Sequence, residues 1–216
     1  MVTGETYHIF SRSIADFRIF NNKKEFERML QLMKYYRTEN GLRFSDFIEL
    51  KMVQHYGLED ALNIFTQNKN QLIKILAYCL MPTHIHFILK QLTEKGISNY
   101  MRKVLNSYTR YFNLKHKRKG PLCESKFKNI LIKSDEQLLH LTRYLHLNPT
   151  SASIVDEPED WSFSSYHEYL GKTDMNTLIC QFNDVLDITP SSYRKFVNDQ
   201  VSYQKDLAKI KKLLAE

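Results

Sequence analysis

The spacing of apolar positions divides the chain into strand, helix, strand, strand, helix, strand and helix. Residues 6–12 (TYHIFSR) alternate and are rich in β-formers, which predicts a first strand. From Asn22, a cap candidate, NKKEFERMLQLMKYYRTEN sets Phe26, Met29, Leu30, Leu32 and Met33 at helical recurrence, and Asn40-Gly41 ends the run. Two β-rich apolar runs share LIKILAYCLMPTHIHFILK at 72–90. Pro82 cannot donate to a ladder, so Met81-Pro82-Thr83 predicts a turn between two central antiparallel strands. At 97–117, Tyr100, Met101, Val104, Leu105, Tyr108, Tyr111 and Phe112 fall three and four apart, the pattern of an amphipathic helix, which a basic loop and Gly120-Pro121 close. FKNILI at 127–132 reads as a strand, and DEQLLHLTRYLHLN at 135–148 as a helix that opens on acidic residues and is stopped by Pro149.

Antiparallel central strands with helices on one face predict an α+β fold, a ferredoxin-like βαββαβ sandwich. Residues 42–71 have apolar positions closer to helical than alternating spacing and predict a helical insertion. Beyond Gly171 the segments 181–187, 190–199 and 200–214 look helical and charged. The expected organisation is one domain over 1–171, with the insertion at about 42–71, and a helical C-terminal extension over 172–216. A length of 216 residues suits one large domain and no second full one.

Charge changes this picture from architecture to partner. The formal net charge is +7, and it is not spread evenly. Residues 95–133 carry eleven Lys and Arg against the single acid Glu124, so the rest of the chain is mildly acidic. A local basic stretch suits a phosphate backbone. Its candidate DNA contacts are Arg102, Lys103, Arg110, Lys115, Lys117, Arg118, Lys119, Lys126 and Lys128. The aromatics between them either stack on unpaired bases or face the core. The N-terminus lacks the features of an export signal, and the longest apolar run, 75–81, is too short to cross a membrane. Cys79, Cys123 and Cys180 show neither pairing nor zinc spacing, as expected of free thiols in the cytoplasm.

The candidate chemistry starts at His84-Ile85-His86. Side chains at i and i+2 of a strand share a face, so the two imidazoles can ligate one divalent metal. Two neutral ligands without thiolates suit Mg²⁺ or Mn²⁺ shared with substrate phosphate oxygens. Phosphoryl transfer also needs a nucleophile, and a tyrosine with a ligating side chain at i+4 on a helix would place both beside the ion. Tyr35 with Glu39, Tyr36 with Asn40, Tyr56 with Asp60 and Tyr144 with Asn148 all meet that spacing, which does not choose among them.

A resemblance does choose. MPTHIHFIL at 81–89, GPLCESKFKNILI at 120–132, RYLHLNPTSASIV at 143–155 and WSFSSYHEYLG at 161–171, with YHIFSRSIADFRIF at 7–20, together resemble the REP-associated tyrosine transposases, members of the single-tyrosine HUH (His-hydrophobic-His) transposases. The resemblance covers most of 6–171 and implies that this span is the catalytic domain. It implies metal ligation by His84, His86 and Asn148, and nucleophilic attack by Tyr144 through a 5′-phosphotyrosine intermediate. The implied activity is nicking and rejoining of single-stranded DNA with hairpin or palindromic structure, by a monomer or homodimer. The 42–71 insertion is longer than expected for that family. The rival expectation is a non-catalytic single-stranded DNA- or RNA-binding module, since ferredoxin-like sheets also serve as binding platforms. The two are separated by the H-x-H pair together with Tyr144 and Asn148, which binding alone does not require.

Overall fold

A computed structural model describes residues 1–124 and 126–205. The first strand, β1 (Thr6–Arg12), leads into helix α1 (Lys23–Tyr36). Three short helices then form the insertion, α2 (Phe44–Phe47), α3 (Lys51–Tyr56) and α4 (Leu58–Thr66). Strands β2 (Ile73–Met81) and β3 (His84–Gln91) form a hairpin across Pro82-Thr83. Helix α5 (Gly96–Lys115), strand β4 (Lys128–Leu131) and helix α6 (Asp135–Ser151) follow. The last elements are α7 (Tyr166–Tyr169) and α8 (Pro190–Asn198).

The four strands form one antiparallel sheet in the order β2-β3-β1-β4. This is the ferredoxin-like order, with β3 inserted between β1 and β2. The start of α5 is sterically fixed, because a Cβ on Gly96 would collide with the Leu72 carbonyl. One sheet face, including Ile9, Leu80, Ile85, Phe87 and Leu89, packs on α1 and α5 through Met29, Leu32, Tyr100, Val104 and Phe112. The aromatic stripe of α5 is therefore core: Tyr100, Tyr108 and Phe112 are buried and offer no stacking surface.

The opposite face is also covered, where helices on a single face were expected. Ala77, Cys79, Met81 and Ile88 form a second core with Leu138, Leu145 and Leu147 of α6 and with Tyr193 and Val197 of α8. Four apolar strand positions on that side would otherwise meet water. A bulge at Leu76 turns both Leu76 and Ala77 to this second core. The outer edge of β2 is capped by Phe163 and Ser165, through Leu80 N–H to the Phe163 carbonyl at 2.9 Å and Ser165 N–H to the Tyr78 carbonyl at 3.0 Å.

The other departures are local. Pro149 sits in the last turn of α6, which runs on to Ser151. A missing N–H removes one backbone bond there without breaking the helix. The insertion is helical, as three short pieces. In the extension, 181–187 forms a turn and no helix, 190–198 is helical as expected, and residues 201–205 are helical. The remainder of the expected 200–214 helix lies outside the described residues.

A buried carboxylate ties α1 to the end of α5. Glu25 is fully buried and accepts hydrogen bonds from Asn21 N–H (2.7 Å), Lys115 Nζ (2.8 Å) and His116 Nε2 (2.7 Å). Burial pushes its carboxyl up, but the donors from Lys115, Asn21 and His116 outweigh it and bring it down to about 2. A folded-state value below the unfolded one stabilises the protein above pH ~4.5, and that stabilisation is lost as pH falls toward 2. Glu25→Gln should therefore lower stability by about 2–3 kcal/mol at neutral pH, because it leaves Lys115 without its charge partner. The variant should also show a flatter stability profile between pH 4.5 and 2. Chemical denaturation across that range measures both.

Candidate active site

The register of β1 against β3 builds the site. Phe10 pairs with His86 and Arg12 with His84, while His8 pairs with Ile88. Directly opposed residues share a face, so His8, Phe10, Arg12, His84 and His86 all point to the side covered by α6. The H-x-H pair falls at the start of β3, and its rings lie 5.1 Å apart at 88°. Tyr144, on α6, reaches the same place: its ring stands edge-on to His86 at 6.0 Å and to His8 at 6.4 Å. A pocket of about 530 Å³ is lined by His8, Arg12, His84, His86 and Tyr144, together with Phe10, Ser11, Ile130, Glu124, Lys126 and Lys128.

Local contacts hold these groups in place. Glu124 N–H donates to the Arg12 carbonyl (3.0 Å) and Ser13 N–H to the Thr83 carbonyl (2.8 Å), tying the 121–124 loop and the β2–β3 turn to the end of β1. His86 Nδ1 and His8 Nε2 are hydrogen-bonded at 3.1 Å, and His84 Nδ1 pairs with the Thr83 hydroxyl at 3.0 Å. Burial pulls His8 and His84 down to about 4. Burial, with the positive charge of neighbouring imidazoles and Arg12, brings His86 to about 3. All three imidazoles are thus neutral at physiological pH, the form that ligates metals. Burial raises the Tyr144 phenol, and the Arg12 guanidinium opposes that rise. Tyr144 nevertheless stays 42% exposed.

The expected site residues are brought together unequally. His84, His86 and Tyr144 share the pocket, along with Lys126 and Lys128. Asn148 lies one helical turn beyond Tyr144 but is not among the described lining residues. Its Nδ2 is buried with no hydrogen-bond partner among the described residues. An amide turned over places its carbonyl oxygen where the nitrogen was, so the unsatisfied position fits a cation. No group of three His, Cys, Asp or Glu among the described residues could hold a metal ion.

The basic stretch does not form one track. Arg102, Lys103 and Arg110 line a different groove. Lys115 is held by Glu25, and Arg118 braces its own loop through Asn113, Gly120 and Pro121. Lys117 and Lys119 are exposed.

Two pocket residues were not legible as such in the sequence, His8 and Arg12. A lone histidine or arginine in an alternating strand gives no signal until the register is known. The same parity as Phe10 in TYHIFSR was the available hint.

With this geometry in place, comparison with known proteins shows what the chain is similar to. Residues 51–146, from the insertion through the middle of α6, match the family model described as "Transposase IS200 like". A Haemophilus influenzae protein described as a REP-associated tyrosine transposase is 28% identical over 147 residues, 60% of this chain and 82% of that protein. The solved structure of a REP-associated tyrosine transposase bound to a REP hairpin has the same fold, with a TM-score of 0.55 and 16% identity over 88% of this chain and 92% of that one. In family match, curated relative and fold, the chain is similar to the IS200-like transposases and, among them, to REP-associated tyrosine transposases.

Proposed function

We propose that the protein nicks and rejoins single-stranded DNA carrying a hairpin, with Tyr144 as nucleophile. The observation that carries this reading is the half-exposed Tyr144 ring standing edge-on over His86, 6.0 Å away, in the pocket that also holds His84. A hairpin is the ligand of the solved structural relative, and the basic lining of the pocket suits a phosphodiester.

In the forward step the Tyr144 phenolic oxygen attacks phosphorus. A Tyr–O–P bond forms and the bond from phosphorus to the 3′-oxygen breaks. The phenol proton leaves to solvent, and the released 3′-oxygen takes up a proton. The products are a 5′-phosphotyrosine and a free 3′-hydroxyl. Attack of a 3′-hydroxyl on the phosphotyrosine reverses the exchange and joins strands. Because one phosphate ester replaces another, no nucleotide hydrolysis is required. Arg12, Lys126 and Lys128 attract the phosphate, and Arg12 also favours the phenolate.

A divalent cation, Mg²⁺ or Mn²⁺, would be held by His84, His86 and Asn148, and would supply Lewis-acid stabilisation of the charge on the scissile phosphate. His8 is a positioning residue in this reading. By accepting the His86 Nδ1–H it fixes the tautomer that leaves Nε2 free to ligate.

The test uses a labelled hairpin-bearing single strand with Mg²⁺. A covalent protein–DNA adduct is expected, and Tyr144→Phe should abolish it. An adduct that survives this change removes Tyr144 from the role, and no adduct with the unmodified protein favours the binding-only reading. His84→Ala should eliminate Mn²⁺ binding in a paramagnetic resonance titration while leaving most DNA affinity. His8→Phe should weaken Mn²⁺ affinity by about 10- to 100-fold with the fold intact. Unchanged affinity would mean that His8 does not orient His86.

A further inference from the structure

A further hollow lies on the α1/α5 side of the sheet, away from the pocket that holds His84, His86 and Tyr144. It has a volume of about 480 Å³ and sits between α1, α2 of the insertion and α5. Five cations line it: Arg28 from α1, Arg43 at the start of α2, and Arg102, Lys103 and Arg110 from α5. No acidic side chain lines it, and among the described residues none of the five forms an ion pair with a carboxylate. Glu39 lines only the adjoining hollow, beside Arg102 and Lys103.

From this arrangement we infer a second nucleic-acid site, a groove that grips the phosphate backbone of double-stranded DNA. Two features fix the class of ligand. Arg43, Arg102 and Arg110 are exposed and free to reach outward. Arg102 and Arg110 are eight residues apart on α5, about 12 Å along the helix, far enough to reach separate phosphates of a duplex strand, whose axial rise is ~3.4 Å per phosphate. The aromatic residues of the groove cannot serve as base platforms. Phe44 and Tyr36 are buried, and the Arg28 guanidinium lies 5.0 Å from the Phe44 ring and 4.8 Å from the Tyr111 ring. Binders of unpaired strands combine a basic groove with open stacking surfaces. This groove has the charge without the open rings, so it suits a ligand whose bases are already stacked on one another.

The electrostatics agree with an anionic occupant. Burial lowers the affinity of Arg28 for its proton, and burial together with the charge of Arg102 does the same to Lys103. An anion in the groove would relieve both. The charge here also draws on more than the basic sequence stretch, since Arg28 and Arg43 belong to the otherwise acidic part of the chain. Arg43 and Phe44 come from the insertion, so the insertion builds one wall of the groove. The inference does not depend on cleavage at Tyr144, because occupancy is read as binding alone.

Fluorescence anisotropy with the full chain, a chelator and a salt series tests it, using a labelled blunt duplex and a labelled oligothymidine of equal length. The combined variant Arg43→Gln, Arg102→Gln, Arg110→Gln should weaken duplex binding at least ~10-fold and make the log–log salt slope shallower by roughly two to three. Oligothymidine affinity should fall less. Asn106→Glu, which places a carboxylate between the two α5 arginines, should give a similar selective loss. Unchanged duplex affinity and slope in both variants would overturn the proposal, and so would a loss on oligothymidine equal to or larger than that on the duplex.

Discussion

The pairing of β1 with β3 is the constraint on which the site depends. It puts Phe10 opposite His86 and Arg12 opposite His84, and carries His8 to hydrogen-bonding distance of His86. In a strand pair, a slip of one residue sends every side chain of the moving strand to the other face. His8 and Arg12 would then enter the α1/α5 core, while Tyr7 and Ile9 would turn toward the pocket side. The apolar demand of the first core, where Ile9 is fully buried, therefore also fixes the polar constellation on the other side. Packing energy on one face specifies chemistry on the reverse face.

This coupling explains what the sequence discloses and what it conceals. Helices α1, α5 and α6 and strands β2 and β3 could be read because their apolar positions recur over many residues, and Pro82 marks the hairpin. The H-x-H pair was legible because both residues lie on one strand, where parity alone puts them on one face. Tyr144 needed family resemblance, since four tyrosines share its spacing. His8 and Arg12 join the site only through pairing between segments more than 70 residues apart, a relation that no local pattern carries. The second core escaped notice for a similar reason. Its partners in the extension, Tyr193 and Val197, sit on a short charged helix whose buried side shows only when α6 is present.

The basic stretch illustrates how linear charge can mislead about direction. Residues 95–133 look continuous, but α5 points Arg102, Lys103 and Arg110 toward the insertion, whereas β4 and the loop before it bring Lys128 and Lys126 to the His84–His86 pocket. Between these ends, Lys115 is spent on Glu25 inside the fold. The sheet stands between the two groups of cations.

The bulge at Leu76 bears on how such a protein tolerates change in length. Upstream of it Ile73 and Ile75 face the first core, and downstream Tyr78 and Leu80 do, with Leu76 and Ala77 both diverted to the other side. One surplus residue thus resets the phase of the strand midway, so that two half-strands of different parity serve the same interior. Losing that surplus residue would restore strict alternation with the same partners on β3, whereas a gain or loss elsewhere in β2 would set its two halves at odds with β3. The insertion at 42–71 contributes Phe44, Phe47, Ala61 and Leu62 to the first core but takes no part in that pairing. In this fold the paired strands, even the edge strand β2, are where chain length is counted to the single residue.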